Sequence, residues 1–146
     1  MRIQTSEHYI SNRAWLRDVV GEKDLILRGV SALEYLQLFV GYAGEETVEV
    51  YSLQRGAYEN IDYRVVDSFK TIETVRYGNV LCASANQTFN DMLAEYETAD
   101  ELALTEALSK YYHANGETFD GLRIKPENAE RFKIVREWAI RYFSGG

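Results

Sequence analysis

Residues 80–108 constrain the fold most. They open with a short apolar run, Val80-Leu81-Cys82-Ala83, and pass through the small polar residues Ser84 and Asn86. Two helix-like segments follow, whose six acids (Asp91, Glu95, Glu97, Asp100, Glu101, Glu106) are unaccompanied by any lysine or arginine. A brief apolar run bounded by turn formers reads as a buried strand, and apolar residues recurring every three or four positions read as one face of a helix. A strand that feeds straight into helices calls for helices layered on a sheet.

The rest of the chain agrees with that frame. Ser11 is placed to cap a helix over 12–20, with Trp15, Leu16, Val19 and Val20 on one side and Gly21 as its stop. Leu25-Ile26-Leu27 leads through Arg28-Gly29-Val30 to Ser31, expected to cap a second helix over 32–39 that Gly41 and Gly44 end. Val48 and Val50 alternate with Glu49 and Tyr51, the period of a strand with one buried face. Residues 62–66 form a second candidate strand, and 71–77 and 80–83 flank Gly78-Asn79 as a tight hairpin. Ser84 or Asn86 is expected to cap a helix reaching Tyr96, with Phe89, Met92, Leu93 and Tyr96 turned inward. Thr98-Ala99-Asp100-Glu101 has capping-box spacing ahead of a helix that buries Leu104, Ala107, Leu108 and Tyr111 and stops at Asn115-Gly116. Pro126 suits the first turn of a last helix reaching Phe143, with Phe132, Val135, Trp138, Ala139 and Tyr142 as its apolar face. The expected fold class is α+β: a small, mainly antiparallel sheet with helices packed on it, and a helical C-terminal half, in a single domain over 1–146.

Composition narrows the function. A net charge of −7 disfavours nonspecific nucleic-acid binding, which depends on lysine and arginine neutralising phosphates. The single cysteine, Cys82, cannot close an intramolecular disulfide, and its apolar surroundings predict an inert thiol. Residues 1–16 lack the apolar region of a secretory signal, and no window approaches the about 20 apolar residues that span a bilayer. A cytoplasmic protein without a membrane partner is expected.

Candidate chemistry is sparse. His8 lies near the N-terminus and His113 at a helix end, where its charge would suit the helix dipole, so neither is expected to be catalytic. No HExxH, CxxC or Walker-type loop is present, and the acids of 91–106 lack the pattern of an EF-hand, so no metal or cofactor is expected. Leu27-Arg28-Gly29-Val30-Ser31-Ala32-Leu33 resembles the strand, glycine-serine turn and helix of nucleotidyltransferases. Those enzymes hold two metal ions with carboxylates one residue apart on a strand, whereas 47–52 supplies only Glu49. The last segment is mildly basic, with Arg123, Lys125, Arg131, Lys133, Arg136 and Arg141 spread around the helix rather than along one side. Tyr58, Tyr63, Tyr111 and Tyr112 are expected mostly as core residues with their hydroxyls at the surface.

At Arg28-Gly29-Val30-Ser31-Ala32-Leu33 and again over 80–93 the chain resembles the antitoxin domain of the AbiEi family, from type IV toxin–antitoxin and phage abortive-infection systems. The resemblance spans roughly 24–110. It rests on a glycine-x-serine-alanine-leucine helix start and on a later serine-x-x-arginine-threonine-leucine-x-aspartate element, of which Ser84, Thr88 and Asp91 match. Gln87 stands where that element has arginine, Phe89 where it has leucine, and the family's N-terminal winged-helix domain has no counterpart before residue 28. The resemblance implies a bacterial, non-enzymatic antitoxin that counteracts a nucleotidyltransferase-like toxin encoded nearby. The alternative is a nucleotidyltransferase-like fold, degenerate in catalysis or nucleotide-binding. The motif residues are then Arg28, Gly29, Ser31, Ser84, Thr88 and Asp91, with Asp91 expected to tie its helix to the Arg28-Gly29 turn or, with Thr88, to border a partner surface.

Overall fold

Side-chain caps set where several elements begin in this computed structural model, which describes residues 1–42 and 44–142. Ser11 Oγ accepts the Ala14 amide (3.1 Å) to start α1 (Asn12–Val20), and Gly21 ends that helix. Ser84 Oγ does the same for Gln87 (3.0 Å) at the start of α3 (Ala85–Ala94). At α4 (Glu101–Ala114) the expectation is corrected. Asp100, not Thr98, is the cap and accepts the Ala103 amide at 3.0 Å. Thr98 instead donates its hydroxyl to the Glu95 carbonyl, which closes the turn after α3.

The second helix is also displaced from its expected span. α2 runs over Gly29–Tyr35, directly after β1 (Leu25–Leu27), because Gly29 takes the left-handed φ of +54° that turns strand into helix. Ser31 therefore lies inside the helix, where its Oγ accepts the Glu49 amide (2.9 Å) and ties α2 to β2 (Val48–Ser52). Gln37 at φ +62° stops the helix, with the Leu38 amide reaching back to the Leu33 carbonyl. Gly41 and Gly44 play no part in that stop.

Among the described residues β1, β2, β3 (Ile61–Val65), β4 (Thr74–Tyr77) and β5 (Val80–Ala83) form one mixed sheet in the order β3-β2-β1-β5-β4. β1–β2 and β4–β5 are antiparallel, and β1–β5 and β2–β3 parallel. The β4–β5 pair is the two-residue hairpin read at Gly78-Asn79, with Tyr77 opposite Val80. The fold is α+β with a helical C-terminal part.

One apolar cluster joins α1 to the sheet through Trp15, Leu16, Ile26, Val50 and Cys82. The second joins Leu33 of α2 to Phe89, Leu104 and Leu108, and to Val135 of α5 (Ala129–Arg141). Pro126 opens a separate 3-10 turn, Pro126–Asn128, ahead of α5. Asn90 pins that turn: its Oδ1 accepts the Lys125 amide (2.9 Å) and the Asn128 side-chain amide (3.0 Å). The apolar face of α5 is narrower than expected. Val135 and Ala139 are buried, whereas Trp138 and Tyr142 are largely exposed, and the expected end at Phe143 lies outside the described residues. No described helix is long and apolar enough to cross a membrane.

Candidate functional site

Arg28 closes β1 and begins the turn into α2, yet its guanidinium is buried, with 4% of the side chain exposed. Burial alone works against the charge, so partners must hold it. Glu95, at the end of α3, accepts from Nη2 at 2.8 Å, Glu49 of β2 stands 3.8 Å from Nη1, and the Tyr51 ring lies beneath at 5.0 Å. Against that burial, the Glu95 hydrogen bond and the Tyr51 contact raise the Arg28 pKa further. Glu95 in turn pairs with Arg64 of β3. Burial pushes the Glu95 carboxyl up, but the Arg64 and Arg28 hydrogen bonds outweigh it and hold the group below its ordinary range.

Glu49 organises the start of α2. One carboxylate oxygen accepts the Val30 amide at 2.9 Å, filling the place an anion takes at a helix N-terminus. Burial raises its pKa, with the Val30 amide and Arg28 opposing. The contact explains Gly29 a second way, since a Cβ there would stand 2.7 Å from Glu49 Oε1.

Asp91 does not bond Arg28. It accepts the Tyr51 hydroxyl and, at 2.9 Å, the Gln87 side-chain amide, so α3 is tied to the arginine turn by Glu95 directly and by Asp91 only through Tyr51. Arg28 acts on Asp91 as a nearby positive charge rather than as a hydrogen-bond donor. Burial raises the Asp91 pKa, opposed by those two hydrogen bonds. Burial and then the Asp91 bond push Tyr51 up to about 12. Tyr51 is itself buried, so β2 loses the clean alternation its sequence suggests.

Thr88 is fully buried and its hydroxyl has no hydrogen-bond partner among the described residues, which removes it from any partner-facing surface. Ser84 caps α3 and donates to Glu73, while Gln87 accepts the Glu73 amide at 2.9 Å, so Ser84 belongs to the hairpin side of α3. The structure thus gathers Arg28, Gly29, Ser31 and Asp91 and leaves Ser84 and Thr88 apart.

Arg28 and Gly29 line a cleft of about 410 Å³ together with Glu49, Asp62, Arg64, Glu95 and Asp100 among others. Asp62 of β3 lies opposite Glu49 in the parallel register, so two carboxylates stand side by side on neighbouring strands. Asp62, Arg64, Tyr51 and Glu95 were missed as site residues in the sequence. Glu95 carries the one usable signal, as it follows Asp91 by four positions on a helix. Cys82 is buried and its thiol is pushed up to about 12, in keeping with an inert cysteine. No group of three or more His, Cys, Asp or Glu among the described residues is placed to hold a metal ion.

Fold and site define an α+β protein with a charge-locked cleft between a mixed sheet and two helices. Comparison with protein families, with characterised proteins and with solved structures returns no match.

Proposed function

We propose that this is a non-enzymatic, antitoxin-like protein that acts by contact in the bacterial cytoplasm. It counteracts a nucleotidyltransferase-like toxin encoded nearby, in a type IV toxin–antitoxin or phage abortive-infection system. One observation supports the reading. Among the residues on which the resemblance to AbiEi-family antitoxin domains rests, Arg28 and Gly29 line one cleft, and Ser31 and Asp91 bond Glu49 and Tyr51, the β2 residues beside Arg28, although α3 lies far from α2 in sequence. Three carboxylates there are engaged in that assembly: Glu49 on Val30 and Arg28, Glu95 on two arginines, Asp91 on Tyr51 and Gln87. Groups so occupied shape a surface. The test is co-expression with the toxin gene next to this one. The wild-type chain rescues growth, Arg28→Ala and Gly29→Ala rescue less, and failure of the wild type to rescue overturns the reading.

The Glu49–Asp62 register favours a second reading, a nucleotidyltransferase-like fold that binds nucleotide. It supplies across two strands the paired carboxylates that one strand lacks. Thermal-shift titration with nucleoside triphosphate and magnesium separates the two. A saturable rise of several degrees selects nucleotide binding, and a flat response selects the contact reading.

A further inference from the structure

Glu34 on α2 is 5% exposed, and among the described residues neither of its carboxyl oxygens has a hydrogen-bond donor. It meets the carboxyl of Glu45, whose Oε2 is likewise buried and without a donor. Two ionised carboxylates in that contact repel each other and neither can donate, whereas a proton on one makes the contact a hydrogen bond.

Among the described residues, the charges that act most on Glu34 are all negative. Glu49 of β2 and Asp100 at the cap of α4 both act on Glu34 as further negative charges. Glu106 of α4 accepts the Val40 amide of the intervening chain at 3.3 Å. From α1 comes the uncharged side-chain amide of Asn12, while Arg13 gives its guanidinium to the Tyr35 carbonyl and ring. Gly41 closes over Glu34 so tightly that a Cβ there would lie 2.7 Å from Glu34 Cδ. The Glu45 carbonyl is anchored separately by the Ser6 amide at 3.0 Å.

We propose that Glu34 and Glu45 share one proton at neutral pH, and that this proton latches α2 to the backbone leading into β2. Glu45 and Thr47 belong to the cleft wall, so loss of the proton frees that side of the cleft, whichever function the cleft serves. Burial first, then the Glu45 hydrogen bond and the neighbouring carboxylates, push Glu34 up to about 9. Glu45 is raised by burial too, with the hydrogen bond from Glu34 pulling it back.

Carbon-13 NMR of the glutamate side-chain carboxyls, followed from about pH 5 to about pH 10, tests the shared proton. One glutamate resonance should titrate several units above the others, be missing in Glu34→Gln, and move down towards the ordinary range in Glu45→Gln, where burial alone still holds it up. Amide exchange over residues 44–50, corrected for intrinsic rates, tests the latch. It should quicken by roughly tenfold or more between about pH 7 and about pH 10 in the wild type and stay flat in Glu34→Gln, whose amide donates at every pH. Ordinary titration of every glutamate overturns the shared proton. Flat exchange in the wild type, or equal quickening in Glu34→Gln, overturns the latch. Should Glu34→Gln fail to fold, Glu45→Gln carries the exchange test, because its amide donates to the Glu34 carboxylate.

Discussion

Replacing Gly29 by alanine tests the turn that organises the cleft. Gly29 has φ +54°, and an added Cβ would lie 2.7 Å from Glu49 Oε1. Two costs add. A side chain in the left-handed region costs about 1–2 kcal/mol. Clearing the clash pulls Glu49 from the Val30 amide, and a hydrogen bond to a charged group contributes about 1.5–3 kcal/mol. The Glu49 side chain is 28% exposed, so water recovers part of that loss and the lower end of the range applies. Gly29→Ala should therefore destabilise the fold by about 2–4 kcal/mol, read from urea unfolding at neutral pH with an unchanged m-value. The same change in a Glu49→Ala background should cost only the backbone part, about 1–2 kcal/mol. A wild-type loss below about 1 kcal/mol, or equal losses in the two backgrounds, would refute the argument.

Three further outcomes follow from the same geometry. Arg28→Ala should cost about 2–3 kcal/mol in chemical unfolding, below the range for a fully buried pair because Glu95 keeps Arg64, and Arg28→Lys should fall between. Thr88→Val should be neutral or stabilising by up to about 1 kcal/mol, because it removes a buried hydroxyl that has no partner; a loss above about 1 kcal/mol would reveal a bond to that hydroxyl. A carboxyl raised from 4.5 to about 9 binds its proton better folded than unfolded, so the stability Glu34 contributes is fully present below 4.5 and is lost as pH rises to about 9. Glu34→Gln should hence gain about 1–3 kcal/mol over wild type at about pH 8 and flatten the decline, and a wild-type profile without that decline contradicts it.

What the sequence discloses and what it hides follow one physical line. Caps and glycine stops are local: Ser11, Ser84, Gly21 and the Gly78-Asn79 hairpin act on atoms within a few residues, and each was legible. The early start of α2 was not, because its cause is non-local. Ser31 looks like a cap until β2 brings the Glu49 amide to its hydroxyl. Glu95, Arg64 and Tyr51 stayed hidden for the same reason, since only pairing of β2 with β3 and docking of α3 place them around Arg28. Thr88 misled in the opposite sense: its polar side chain suggested a surface, but its place on α3 buries it completely.

The position of Glu49 also sets the two functional readings against each other. Its carboxylate fills the anion position at the start of α2 and faces Arg28. A phosphate arriving there, or a metal ion beside Asp62, must first draw Glu49 away from the Val30 amide and leave Arg28 supported by Glu95 and Tyr51. Nucleotide binding therefore has to break the network that maintains the cleft, and Glu49→Gln, which keeps the side chain's shape but weakens its hold on Arg28, should ease entry of a phosphate. Surface recognition needs that network intact, so under the contact reading the same variant weakens rescue in step with its loss of stability. Glu49→Gln thus pushes the two readings in opposite directions, and one variant assayed for nucleotide affinity and for rescue discriminates between them.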